Sequence, residues 1–126
     1  LAIIDKRRSA PNQAKAMAVI GEVKDKTVVI LDDMADTAGT LTEAAHALKE
    51  NGAKEIHACC AHAVLSGPAI DRIKRSEMKS LVVTDTIPLK KNAVACGKII
   101  VISISELVGE AIIRSYRGDS VTSLFV

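Results

Sequence analysis

Val28-Val29-Ile30-Leu31-Asp32-Asp33-Met34-Ala35-Asp36-Thr37-Ala38-Gly39-Thr40 is the stretch that decides the fold. Four apolar residues run into two adjacent carboxylates, a third carboxylate follows, and a small turn carrying hydroxyls closes the segment. An apolar run of this kind predicts a buried strand of a parallel sheet, here over residues 27–31. The run from Leu41 to Leu48 has amphipathic spacing and predicts a helix. A turn from strand to helix leaves the first N–H groups of the helix without partners, and with the positive helix end they suit a phosphate group. Carboxylates beside such a turn suit ribose hydroxyls or a divalent cation.

The same alternation continues on both sides. Residues 1–5 read as a strand end, and residues 6–15 are basic, polar and carry Pro11, which is loop composition. Thr40 and Glu43 have the spacing of a capping box, and Gly52 stands where a helix stop is expected. Glu55 to Ala61 predicts a strand. Ser66-Gly67-Pro68 opens a short helix to about Arg75. Leu81 to Thr84 and Ile99 to Ile102 predict two further strands. Ser103 and Glu106 repeat the capping-box spacing before a helix to about Arg117, and the tail Ser120 to Phe125 is short and β-prone. Strands alternating with helices give an α/β class with a mainly parallel sheet flanked by helices, as one domain over residues 1–126. In such sheets ligands sit beyond the carboxyl ends of the strands, where Asp36 to Thr40 fall.

Composition narrows the function classes. One Tyr, one Phe and no Trp leave no stacking platform for single-stranded nucleic acid, and a net charge of +2 does not point to a polyanion. No apolar run approaches the ~20 residues of a membrane span, and no signal peptide is visible. Cys59 and Cys60 are adjacent and Cys96 is the odd third, which argues against a disulfide framework and fits a reducing cytoplasm. The chain starts at Leu1, without Met, inside what reads as a strand, and is expected to be a piece of something longer.

Among chemistry-bearing residues, Asp32 and Asp33 are either a solvated and a capping carboxylate, or a pair that holds ribose hydroxyls or a magnesium ion. Asp36-Thr37-Ala38-Gly39-Thr40 is either an ordinary turn or a phosphate cradle in which Gly39 lets the backbone approach closely. It is not a P-loop, because no Gly-Lys-Ser/Thr ends it. Lys6-Arg7-Arg8 is either a solvated basic turn or a set of cations that stabilises a phosphoryl transition state. Of the histidines, His46 reads as a surface residue and His57 as core or edge. His62, at a strand end before Ser66-Gly67-Pro68, is the one histidine expected near a site. No pair has zinc spacing, and Cys59 and Cys60 read as small buried residues.

The segment 28–40 resembles the phosphoribosyl pyrophosphate (PRPP) motif shared by type I phosphoribosyltransferases and the ribose-phosphate diphosphokinases (PRPP synthetases). Asp5-Lys6-Arg7-Arg8, Cys59-Cys60-Ala61-His62 running into Leu65-Ser66-Gly67-Pro68-Ala69, Glu110 to Arg114 and the tail Ser120 to Phe125 resemble the second group. The resemblance covers essentially the whole chain. It implies the C-terminal, phosphoribosyltransferase-like domain of a two-domain enzyme. That enzyme moves the β,γ-diphosphoryl group of ATP to O1 of ribose 5-phosphate with magnesium, giving PRPP and AMP. It further implies that Asp36, Thr37, Ala38, Gly39 and Thr40 cradle the 5-phosphate. Asp32 and Asp33 would hold the ribose hydroxyls directly or through Mg2+. Lys6 and Arg8 would be the catalytic cations. Ser120, Thr122 and Phe125 would belong to an effector site for phosphate or ADP between subunits of a dimer-based hexamer. Ala35, Ala63 and Thr122 depart from the family pattern, where Ile, Pro and Ser are common. Much of the family's ATP site lies in the N-terminal domain, so the 126 residues alone are expected to be inactive.

Two alternatives stand beside this expectation. A type I phosphoribosyltransferase usually carries a longer α/β stretch before the motif than the 27 residues found here. A synthetase-associated regulatory subunit lacks an intact Asp-Thr-Ala-Gly-Thr turn and carries an insertion near the basic loop; this chain keeps the turn and has no insertion.

Overall fold

A computed structural model describes residues 1–7 and 16–124. Strands β1 (Ile3–Arg7) and β2 (Ala16–Ile20) form an antiparallel ladder in which Ile3 faces Ile20 and Arg7 faces Ala16. The sequence predicts loop from residue 6 onward; instead β1 runs on to Arg7, and β2 was not anticipated. A second sheet holds β3 (Thr27–Met34), β4 (Glu55–His62), β5 (Ser80–Thr84) and β6 (Ile99–Ile102), all parallel and in that order. The helices α1 (Gly39–Glu50), α2 (Ala69–Arg75), a short α3 (Lys91–Val94) and α4 (Ser105–Arg117) connect or follow them. The α/β expectation with a mainly parallel sheet therefore holds.

The core lies between one face of the sheet and helices α1 and α2. Ile56, Ala58 and Cys60 of β4 and Leu81 and Val83 of β5 are buried there. They belong to one cluster with Leu41, Ala45 and Leu48 of α1, Ile70 and Ile73 of α2, and Met78. The period-two burial of β4 and β5 is what a sheet with one well-covered face requires. Each fully buried Leu or Ile contributes about 1.5–3 kcal/mol to that packing.

β3 corrects the opening expectation. It is longer than residues 27–31, taking in Asp32, Asp33 and Met34, and it lies at the sheet edge rather than in a buried interior. Val28 and Ile30 are half-buried against the core, while Val29 and Leu31 are 53% and 79% exposed. An unbroken apolar run does not distinguish a strand covered on both faces from one covered on a single face.

The helix ends differ from the capping boxes read in the sequence. α1 begins from Ala38, a left-handed residue with φ of 56°, and no side chain caps it. Thr40 and Glu43 do not form the reciprocal pair; Thr42 Oγ1 instead donates to the carbonyls of Ala38 and Gly39. At α4, Ser103 and Glu106 are likewise not reciprocal. Asp85, at the end of β5, accepts the Ile104 N–H at 3.0 Å, and its contacts with Ser103 and Ile104 hold its carboxyl below the usual range. Gly52, with φ of 85°, follows α1 as expected. The tail is not a strand: Thr122–Leu124 form a single 3-10 turn, and Phe125 lies outside the described residues.

His46 is on the surface of α1, as expected, and its Nδ1 lies 2.9 Å from Glu77 Oε1. The hydrogen bond to Glu77 and the nearby Glu50 charge raise the His46 pKa above its ordinary 6.5, and the same bond lowers that of Glu77 below 4.5. The histidine contribution to stability is complete below its unfolded value and is lost as pH rises through the raised folded value. The glutamate contribution is present above its unfolded value and lost as pH falls through the lowered folded one. Removing the carboxylate charge by Glu77→Gln is therefore expected to cost more stability at about pH 5.5 than at about pH 8. Urea midpoints of parent and variant at the two pH values check this; an equal difference at both would contradict it.

Candidate functional site

The site is built on the carboxyl end of β3, where the sheet hands the chain to α1. A cavity of about 210 Å³ opens there, lined by residues 32–41. Asp32 and Asp33 bound it on the strand side, and Asp36 to Thr40 wrap it on the helix side. Each of the first two carboxylates uses one oxygen on the next backbone N–H, Asp32 on Asp33 at 3.0 Å and Asp33 on Met34 at 2.8 Å. Both side chains are exposed, so the second oxygens face solvent. Such an oxygen pair suits a sugar hydroxyl or the water shell of a magnesium ion. Among the described residues there is no group of three or more His, Cys, Asp or Glu that would hold a metal by itself.

The turn that lines the cavity leaves its amides without protein partners. Among the described residues, none of the N–H groups of Asp36, Thr37, Ala38, Gly39, Thr40 and Leu41 donates to a protein acceptor; the first donor in this stretch of α1 is Thr42, to the Ala38 carbonyl at 3.0 Å. The Ala38 conformation breaks the strand direction and starts the helix with no cap to occupy these groups. Six free N–H groups at a helix start form an anion-binding concavity. A Cβ at Gly39 would sit 3.2 Å from Arg72 Nη1 and 3.7 Å from Thr37 Oγ1, so an added side chain would press on that guanidinium.

Ala38 is 4% exposed and left-handed, so a branched side chain meets both backbone strain and a packed core. Ala38→Val is expected to destabilise the fold by about 2–4 kcal/mol. Chemical denaturation measures this, and an unchanged midpoint would contradict the turn geometry.

The remaining residues named from the sequence distribute as follows. Lys6 is in β1, opposite Met17 and one pair from the end of the ladder, and Arg8 lies outside the described residues. His62 does lie beside the turn: its carbonyl accepts the Ala35 N–H at 2.9 Å, and its Nδ1 pairs with Thr86 Oγ1 at 3.0 Å. Cys60 is buried and burial pushes its thiol pKa up, whereas Cys59 is only half-buried. Ser120 and Thr122 are exposed. Their segment is tied to α4, with Arg114 Nη1 donating to the Ser120 carbonyl and to Ser123 Oγ. Sequence reasoning missed Arg72, whose guanidinium donates to the Thr37 carbonyl at 3.0 Å. It also missed the bond of Ser66 Oγ to the Asp36 carboxylate.

Residues 4–126 match the family described as phosphoribosyl synthetase-associated domain. The chain is 54% identical over 125 residues to a ribose-phosphate pyrophosphokinase from Oceanobacillus iheyensis, covering 99% of this chain and 39% of that protein. It is 56% identical over 125 residues to one from Bordetella pertussis, covering 99% and 40%. The fold is similar to a crystal structure of phosphoribosylpyrophosphate synthetase from Mycobacterium smegmatis, with a TM-score of 0.82 and 34% identity over 93% of this chain and 37% of that one. The chain thus spans about two fifths of the length of the curated relatives it matches.

Proposed function

Since the chain belongs to the phosphoribosyl synthetase-associated domain family, we propose that it forms the ribose 5-phosphate site of a ribose-phosphate pyrophosphokinase. The observation that carries the reading is the set of six amides, without protein acceptors among the described residues, in the turn that lines the cavity at the end of β3, beside the two open carboxylates. In this reading the amides of residues 36–41 and the hydroxyls of Thr37 and Thr40 hold the 5-phosphate. Asp32 and Asp33 hold the ribose hydroxyls, directly or through magnesium. The O1 hydroxyl attacks the β-phosphorus of ATP and loses its proton. The bond from that phosphorus to the α,β-bridging oxygen breaks, and AMP leaves. Lys6 and Arg8 offset the charge of the diphosphoryl group as it transfers. Magnesium, when bound, screens the phosphate oxygens, and the free oxygens of Asp32 and Asp33 suit its water shell.

The same proposal places Ser120, Thr122 and Phe125 at an effector site for phosphate or ADP, and the whole enzyme in the cytoplasm as a dimer-based hexamer. Apolar side chains left open on α4 (Leu107, Val108, Ile112, Ile113) support self-association. Among the described residues no helix is long and apolar enough to cross a membrane.

The test is calorimetry of ribose 5-phosphate with the protein that carries this sequence, paired with a PRPP-forming assay in ATP and magnesium. Saturable binding and PRPP formation with release of AMP are expected. PRPP formation only in reverse, from a nucleotide and diphosphate, would favour a phosphoribosyltransferase and overturn the kinase reading. Binding without either reaction, in a preparation of the complete enzyme, would favour a regulatory subunit.

A further inference from the structure

The amides of the turn have no protein acceptors among the described residues, yet their peptide units are fixed in orientation. In a trans peptide the carbonyl of one residue and the N–H of the next point in opposite directions. Fixing the carbonyls of residues 35, 36 and 37 therefore fixes the N–H groups of residues 36, 37 and 38. All three carbonyls are taken, and all three donors come from one short segment. Leu65 N–H donates to the Ala35 carbonyl at 3.0 Å, Ser66 N–H to the Asp36 carbonyl at 3.0 Å, and Arg72 Nη1 to the Thr37 carbonyl at 3.0 Å. Ser66 Oγ adds a fourth bond, to the Asp36 carboxylate.

The segment itself is held for this task. Leu65 is left-handed, with φ of 48°, which costs an ordinary side chain about 1–2 kcal/mol, and its side chain is anchored in the core at 6% exposure. That conformation turns consecutive N–H groups, those of Leu65 and Ser66, onto consecutive carbonyls of the cradle. Arg72 follows from α2, one helical turn beyond Pro68, whose carbonyl accepts the Arg72 N–H at 3.0 Å. Its guanidinium also lies against Gly39, within 3.2 Å of where a Cβ would stand, behind the start of α1.

We infer that Ser66 and Arg72 are positioning residues that aim the amides of Asp36, Thr37 and Ala38 at the bound phosphate. Arg72 acts through the peptide unit between Thr37 and Ala38, and the Ser66 side chain acts through the Asp36 carboxylate, beside the main-chain bonds that Leu65 and Ser66 make to the Ala35 and Asp36 carbonyls. The inference rests on the ribose 5-phosphate reading for the identity of the ligand; the peptide orientation it describes does not. Because the 5-phosphate is remote from the reacting O1, loss of aim weakens binding uniformly and raises KM for ribose 5-phosphate, leaving kcat and the KM for ATP near their parent values.

The experiment compares the parent protein with Ser66→Ala, Ser66→Thr, Arg72→Ala and Arg72→Lys. Amide correlation spectra are recorded without ligand, then ribose 5-phosphate affinity and kinetics are measured. Ser66→Ala and Arg72→Ala are expected to shift the amide resonances of residues 36–38 and to weaken binding about tenfold each. Ser66→Thr, which keeps the hydroxyl, should restore most of the affinity, and Arg72→Lys only part of it, because a point charge does not reproduce the guanidinium fork. Unmoved resonances at residues 36–38 would overturn the inference, as would parent-like affinity in both Ala variants. A fall in melting temperature with affinity kept would also overturn it. If the parent fails to bind ribose 5-phosphate, the functional reading falls, while the ligand-free spectra still decide the orientation.

Discussion

Replacing Asp36 by Ala is expected to abolish measurable binding of ribose 5-phosphate by the protein that carries this sequence. Asp36 opens the cradle and is held twice by the same residue. Its carboxylate accepts from Ser66 Oγ and its carbonyl from the Ser66 N–H, while its own N–H has no protein acceptor among the described residues. Truncation removes a charged acceptor at the cavity wall and, with it, one of the bonds between the turn and the 65–72 segment. Loss of a hydrogen bond to a charged group costs about 1.5–3 kcal/mol, and loosening the amides around a phosphate adds to that. Calorimetry reads the outcome, and Asp36→Asn gives the control that keeps the shape and removes the charge. Unchanged affinity in Asp36→Ala would refute the assignment of the cradle.

Lys6→Ala and Arg8→Ala are expected to lower kcat by roughly a hundred- to a thousandfold, while the KM values stay within about threefold of the parent. The reason is when the contact matters. Charge moves onto the leaving α,β-bridging oxygen only as the diphosphoryl group transfers, so a cation aimed there stabilises the transition state more than the ground state. Lys6 lies one pair from the end of the β1–β2 ladder, a position that fixes its backbone in the sheet; Arg8 is two residues further along, outside the described residues. Steady-state kinetics on the complete enzyme separate the two effects. A raised KM with parent kcat would place these residues in ground-state binding instead.

How much of this was legible in the chain depends on the range of the interaction. β6 and the helix opened by Ser66-Gly67-Pro68 were readable because their signals are local: a short apolar run between polar neighbours, and a proline at a helix start. The turn at residues 36–40 was readable for the same reason. β2 was not, since Ala16 to Ile20 has no polar alternation, and its place is set by pairing with β1. The capping boxes failed because spacing alone does not set backbone conformation. Ala38 starts α1 in the left-handed region, and Asp85, from the end of another strand, takes the N–H at the start of α4. Ser66 and Arg72 were invisible as partners of the cradle because they bond to residues 30 and 35 positions away. Backbone carbonyls as acceptors leave no trace in side-chain identity.

The exposed outer face of β3 also bears on solubility. Among the described residues β3 has no neighbour on one side, and an edge strand with Val29, Leu31 and Met34 open to solvent offers main-chain groups to another strand, the usual start of aggregation. A parallel, in-register stack of such edges would place Asp32 over Asp32 and Asp33 over Asp33 at the strand spacing of about 4.8 Å. Like charges at that separation repel, so the two carboxylates that frame the cavity double as gatekeepers against fibrous growth. That protection is electrostatic, so added salt screens it and leaves the apolar edge undefended.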